Sequence, residues 1–295
     1  MNQVVRVAHT RRAAGNAPMR MAIERGYFTD RGIDVVMQEY PRGAVAVEAV
    51  ESGVADAAVV GGALLHMAMR GADPRIVMNV EAWNVFAIIG ARGVERPEDL
   101  RGKPVGICGP HDADTFILKR ALRDWGLDPD RDVELVVFDG GRSEQWTATL
   151  DGRISAMACT VPEPLHARAV GLPILRDFSE PPEPYQSGSL TTTKRYADAN
   201  PDLLLTFLEG QLAGVRAYQT DFEAALPHLR DLTKIDDVDV LRETHRLFGM
   251  AMGEYVPQVE PLTNTARDLA DSLGTPLPFV VADLIDPSFA VRLQG

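Results

Sequence analysis

Short β-branched runs alternate along this chain with longer stretches whose apolar residues recur at helical spacing. Val4 to Ala8 predicts a first strand. The next stretch, with apolar residues at Met19, Ile23 and Phe28 and a stop near Gly26, predicts a helix. Ile33 to Met37 predicts a second strand, and Val45 to Val50 a helix that ends at Gly53. Asp56 to Val60 predicts a third strand, followed directly by Gly61 and Gly62, then a helix over Ala63 to Met69 and a fourth strand over Ile76 to Val80. This β-α-β-α-β-α-β order predicts a parallel sheet covered by helices.

The same rhythm then restarts. Pro104 to Ile107, Val133 to Phe138 and Ile154 to Ala158 predict strands. Between and after them lie helices over Ala113 to Trp125, Ser143 to Leu150 and Glu163 to Val170. In the first of these, Phe116, Ile117, Ala121 and Leu122 share one face. Pro181, Pro182 and Pro184 mark a loop, and Gln186 to Thr193 is a β-rich return segment. From Lys194 onward the pattern is helical, over roughly 201–219, 222–233, 237–250 and 263–273.

Composition narrows the class. The 295 residues suffice for two compact domains. A hydrophobic share of 45% with 24% charged residues is that of an ordinary globular chain, not a disordered or fibrous one. The net charge of −12, from 42 acids against 30 bases with no local basic cluster, argues against nucleic acid as a partner. No apolar run approaches the roughly 18 residues of a membrane-spanning helix, so no spanning segment is expected. The N-terminus carries no basic segment followed by a long apolar core. A cytoplasmic location is expected if Met1 is the native start, and a periplasmic or extracellular one if an export signal has been removed.

Strand ends that feed helix N-termini carry the candidate chemistry, because unpaired N–H groups and the helix dipole favour anions there. After the first strand come His9, Thr10, Arg11, Arg12 and Asn16. After the third come Gly61 and Gly62, which either permit a tight turn or let backbone approach a ligand. The fourth adds Glu81 and Trp83. After Ile107 come Cys108, Gly109, Pro110, His111, Asp112, Asp114 and Thr115, with Asp112 expected to cap the helix that starts at Ala113. After Ala158 come Thr160, Val161, Pro162 and Glu163. The ligand-binding candidates are Arg11, Asn16, Gly61, Gly62, Glu81, Trp83, His111, Asp114, Thr115, Thr160 and Glu163. His66, His166, His228 and His245 fall on helices and are given no role in binding.

Cys108 and Cys159 are the only cysteines. In a lobe with strand order 2-1-3 they end neighbouring strands. A redox pair or a metal site with His111 is one reading, and two small buried thiols that pack a strand end is the other. The spacing matches no zinc signature, and no metal is expected.

Several stretches carry a resemblance. Arg25-Gly26-Tyr27-Phe28-Thr29-Asp30-Arg31-Gly32-Ile33-Asp34 is similar to a passage of type II periplasmic binding proteins, closest to the sulfonate, nitrate and taurine group that also holds the thiamine-pyrimidine synthases. Glu51 to Asp56, Arg96 to Gly106, Leu122 to Pro129 and Leu150 to Ala156 follow the same family's pattern in order, with Ser155 where an aspartate is usual. The resemblance covers about residues 1–220.

It implies an α/β two-lobe clamshell, each lobe a doubly wound sheet, with a helical C-terminal region. Lobe one would hold residues 1–85 and 191–295. Lobe two would hold 86–190, with hinge crossings near 86–90 and 186–190. The implied function is a binding protein of the ABC-transporter type that closes on a small, anionic, sulfonate- or carboxylate-like ligand, with an ABC permease as partner and no cofactor. The alternative is a cytoplasmic enzyme on the same clamshell, such as a cofactor-free decarboxylase or lyase of a carboxylated aromatic compound, with His111 as acid/base. The chemistry of the synthases that carry a cysteine-rich iron motif and a lysine-held pyridoxal phosphate is not supported, because no cysteine cluster exists and Val59-Val60-Gly61-Gly62-Ala63 has no lysine.

Overall fold

The computed structural model describes residues 2–10, 13–110 and 112–294, and in it the two α/β runs form two separate five-stranded sheets. The first run is β1 (Gln3–Thr10), α1 (Ala17–Glu24), β2 (Ile33–Tyr40), α2 (Gly43–Glu51), β3 (Ala57–Val60), α3 (Leu64–Met69) and β4 (Pro74–Trp83). The second is β5 (Phe86–Gly90), β6 (Pro104–Ile107), α4 (Ala113–Asp124), β7 (Glu134–Val137), α5 (Arg142–Leu150), β8 (Ala156–Thr160), α6 (Glu163–Ala169) and β9 (Ile174–Asp177). The return strand β10 (Pro184–Thr193) then leads into α7 (Lys194–Ala199), α8 (Pro201–Thr220), α9 (Phe222–Thr233), α10 (Val238–Ala251), α11 (Val259–Leu273) and α12 (Ser288–Arg292). None of the described helices is long and apolar enough to cross a membrane.

The first sheet has the order β2-β1-β3-β10-β4. β1 runs parallel to β2 and β3, while β10 is antiparallel to both β3 and β4. The uninterrupted parallel sheet expected from the pattern is therefore corrected: the return strand is wedged between the third and fourth strands. The second sheet, β7-β6-β8-β5-β9, repeats the plan, with β6 parallel to its neighbours and β5 antiparallel to β8 and β9.

Phe86–Gly90 pairs only within the second sheet, and β10 pairs only within the first. The chain passes between sheets at 84–85 and 178–183, slightly before the segments that the pattern marked as crossings. The two passages lie side by side. The Asn84 N–H donates to the Glu183 carbonyl at 2.9 Å, and Asn84 Nδ2 donates to Glu183 Oε1 at 2.6 Å. Arg120 of α4 pairs with Glu183 and, at 3.3 Å, with buried Asp268 of α11, so the C-terminal helices are tied to the second sheet's helices at the same place.

Helix α1 is shorter than its apolar pattern. Met19 is buried, but Ile23 is 37% exposed and Phe28 lies beyond the helix. Gly26 ends the helical turn, and the chain then turns Phe28 inward to stack on Phe207 of α8 at 5.5 Å. The C-terminal helices thus cover one face of the first sheet, with Leu204, Leu208, Leu229 and Leu241 in a core shared with Val5, Val7 and Met78. That leaves the carboxyl ends of the parallel strands free to face the other lobe.

Candidate functional site

Strand direction builds the site. In both sheets the parallel strands end facing the same cleft, and each then turns into a helix. Gly43 opens α2, Ala113 opens α4 and Arg142 opens α5, and all three line one cleft of about 150 Å³. Asn16, at the N-cap position of α1, lines it too. First-turn N–H groups have no partner within their own helix. The cleft therefore gathers helix N-termini from both lobes, with their partial positive charge.

Two of the described arginines reach this space. Arg142 follows Gly141, whose φ of +70° and ψ of −155° suit only glycine and set the turn that starts α5. Its Nη1 donates to Thr160 Oγ1 at 2.6 Å, and its Nε is buried with no hydrogen-bond partner. Burial opposes the Arg142 charge, but Glu163, Cys108 and Asp114 outweigh it and push the pKa up. Arg42, at the N-cap position of α2, reaches across the cleft, with Nη1 3.4 Å from the Cys108 carbonyl. Neither arginine is among the candidates of the sequence, which lie at the ends of β1, β3, β4, β6 and β8, whereas these two follow β2 and β7. The signals were present in Pro41-Arg42-Gly43 and Gly140-Gly141-Arg142, turn residues placed just before helices.

Three carboxylates share the cleft. Glu81 of β4 is buried, and its carboxylate has no hydrogen-bond or ion-pair partner among the described residues. Burial pushes its pKa up to about 7, with Arg142 acting in the opposite sense. Asp112 is also raised to about 7, by burial first and then by Asp114, with Arg42, Arg142 and the Ala44 N–H opposing. Asp114 accepts from the Cys108 N–H at 2.9 Å.

The capping role expected for Asp112 is corrected. It holds the N-cap position of α4, yet its side chain makes no bond to that helix. It turns instead toward Arg42 and the Ala44 N–H in the first turn of α2, across the cleft.

Of the sequence candidates, Asn16, Gly61, Gly62, Glu81, Asp114 and Thr160 line the cleft. Trp83, Thr115 and Glu163 are not part of its lining. Beside Trp83 the register of β10 is irregular, with Gly188 paired with Glu81 and Pro184 with Trp83. Thr115 is fully buried and ties down the preceding loop through Oγ1 to the Gly109 carbonyl at 2.6 Å. Glu163 opens α6 and acts on Arg142 electrostatically. Arg11, Arg12 and His111 lie outside the described residues. His9 is buried within β1, where its ring faces the Thr10 carbonyl and Asn16 Nδ2.

Gly61 and Gly62 do not have the left-handed backbone of a tight turn. A side chain at Gly61 would collide with the backbone of Ser187 in β10. Cys108 and Cys159 are free and buried. The β6–β8 register, continued by two residues, sets them opposite each other. Burial raises both thiol pKa values, so both are poor nucleophiles. No lysine lines the cleft, so its described residues do not fit a pyridoxal phosphate aldehyde, which a lysine amine must hold.

Comparison with known proteins agrees with this geometry. The family model described as NMT1/THI5 like matches residues 14–225. No curated protein matches. Among solved structures, the chain is similar to the alkanesulfonate-binding protein SsuA of Xanthomonas axonopodis pv. citri bound to MOPS. The TM-score is 0.78 at 17% identity, over 96% of this chain and 98% of that one. It is similar to the periplasmic aliphatic sulphonate binding protein SsuA of Escherichia coli, with a TM-score of 0.74 at 18% identity over 96% of each chain. It is also similar to the periplasmic nitrate-binding protein NrtA of Synechocystis PCC 6803. There the TM-score is 0.79 at 12% identity, over 99% of this chain and 88% of that one. At these identities the likeness establishes the two-lobe α/β binding-protein fold.

Proposed function

The chain belongs to the NMT1/THI5-like family, and on that premise we propose that it is the substrate-binding component of an ABC importer, closing on a small anionic ligand of the sulfonate or carboxylate kind. The carrying observation is the convergence of Gly43, Ala113 and Arg142, three first-turn helix residues from two different sheets, on one cleft. The names of the similar structures, which bind alkanesulfonates and nitrate, support the same ligand class. The lobes would move about the paired passages at 84–85 and 178–183. A permease would be the partner, and a periplasmic or extracellular location would follow.

Thermal-shift screening of the purified protein against alkanesulfonates, short carboxylates, nitrate and alkylamines tests the proposal. Anions should raise Tm with a dependence on concentration that follows RT ln(1 + [L]/Kd). Stabilisation by amines alone would remove the anion reading.

A further inference from the structure

We infer that Asp112 of the second lobe and Arg42 of the first form a latch that closes the two lobes on each other before any ligand binds. The latch shares with the anion-binding reading only the motion of the lobes about their hinge, and it does not depend on what the cleft takes up.

The two residues sit where closure has its longest lever arm. The chain passes from β4 to β5 and back from β9 to β10, so the hinge lies at one side of both sheets. β2, which runs into Pro41-Arg42-Gly43, is the opposite edge of the first sheet. β6 and β7, which run toward Gly109 and Gly141, lie on the opposite side of the second. The lobes meet closely there. A Cβ on Gly109 would stand 2.9 Å from both Arg42 Nη1 and Asp112 Oδ2, and one on Gly141 would stand 3.4 Å from the Pro41 carbonyl oxygen. Arg42 Nη1 also reaches the Cys108 carbonyl at 3.4 Å.

Helix capping shows what the contact does. Helix α2 has an arginine at its N-cap position, a side chain with no acceptor to offer, and no side-chain cap. Helix α4 has an aspartate at its own N-cap position, yet Asp112 makes no bond to that helix. The carboxylate is directed to the other lobe, to Arg42 and the Ala44 N–H. Its Oδ1 lies 3.9 Å from where a Cβ on Gly43 would be. Asp112 is buried, so these attractions act in a largely dry space where charges count for more. Asp114 and Arg142 also act on Asp112, but both belong to its own lobe and move with it. Arg42 is the charge that Asp112 loses on opening. In the open form Asp112 is free to cap α4 in the ordinary way, which makes it a residue with two discrete positions, one for each state of the lobes.

Single-molecule energy transfer in the ligand-free protein at pH 8 tests the latch. Dyes go on Ser52→Cys and Asp151→Cys, at the far ends of α2 and α5. Cys108 and Cys159 are buried and stay unlabelled. With no other change, the labelled protein should populate a closed, high-transfer state. Arg42→Gln and Asp112→Ala should each raise the open-to-closed ratio about tenfold, as for loss of an interaction with a charged group. Asp112→Asn, which keeps the shape and loses the charge, should fall between wild type and Asp112→Ala. The double variant Arg42→Gln/Asp112→Ala should open no further than the larger single one, because both changes remove the same interaction. An unchanged ratio in both single variants, or effects that simply add in the double variant, overturns the latch and leaves the anion-binding proposal standing. One fixed transfer efficiency in every protein, with or without propanesulfonate, overturns the latch together with the hinge motion.

Discussion

Arg142 Nη1 and Thr160 Oγ1 are 2.6 Å apart, so the first residue of α5 is tied to the last residue of β8. This holds one edge of the guanidinium in place, while Nε is buried without a partner. Arg142→Gln is expected to weaken anion binding roughly tenfold to a hundredfold, as for loss of a charge-assisted hydrogen bond. Thr160→Val, which only frees the guanidinium, should cost less. Calorimetry on the two variants checks the order, and unchanged affinity in Arg142→Gln would contradict the role given to it.

Gly15 and Gly61 separate ligand effects from stability effects. An alanine at either site would crowd a neighbour, but the neighbours differ. At Gly15 the crowded group is the carboxylate end of Glu81, which can rotate away. Gly15→Ala should therefore cost less than about 1 kcal/mol in stability while altering ligand binding. The measurement is a urea midpoint alongside a binding titration.

At Gly61 the crowded group is the Ser187 carbonyl, part of a strand paired on both sides. Gly61→Ala should destabilise by about 1–3 kcal/mol or more, because a packed backbone yields little. A midpoint equal to wild type would show that β10 can shift.

Stability should fall as pH rises from about 4.5 to 7 in the ligand-free protein. Glu81 rises from 4.5 to about 7 on burial, and Asp112 from 3.8 to about 7. Between its unfolded and folded values such a group holds more protons folded than unfolded. Its stabilising share is complete below the unfolded pKa and is lost as pH climbs through the folded one. For Glu81 this amounts to roughly 3 kcal/mol. His9 and His228, whose pKa values are depressed first by burial, act in the opposite direction as pH falls through 6.5. The difference between wild type and Glu81→Gln, in urea melts at pH 5 and pH 8, isolates the carboxylate. The variant should gain relative to wild type at pH 8.

The alternation of strands and helices was legible because each element buries one regular face. Sheet order was less so, since nothing local in Gln186 to Thr193 says that it will enter between β3 and β4 rather than at an edge. One departure from the family pattern has a physical account. Asp56 accepts from the Arg6 N–H at 2.8 Å and also binds its guanidinium. The corresponding position of the second sheet is Ser155, whose N–H donates to the Pro104 carbonyl just as the Asp56 N–H donates to that of Arg6. Pro104 offers neither an N–H nor a cation, so a carboxylate at 155 would have no such partner. Arg42 and Arg142 were missed for a different reason. Their role depends on two lobes facing each other, which no single stretch of sequence encodes.

The placement of β10 also orders events during synthesis. A nascent chain that has emerged only to residue 183 has every strand of the second sheet but lacks the strand that joins β3 to β4. The first 83 residues must then wait with β4 unpaired and an open edge on β3, while the intervening hundred or so residues can already close their own sheet. The lobe that begins the chain is the one that must finish last, and its unpaired edges are where premature release or truncation would invite association between chains.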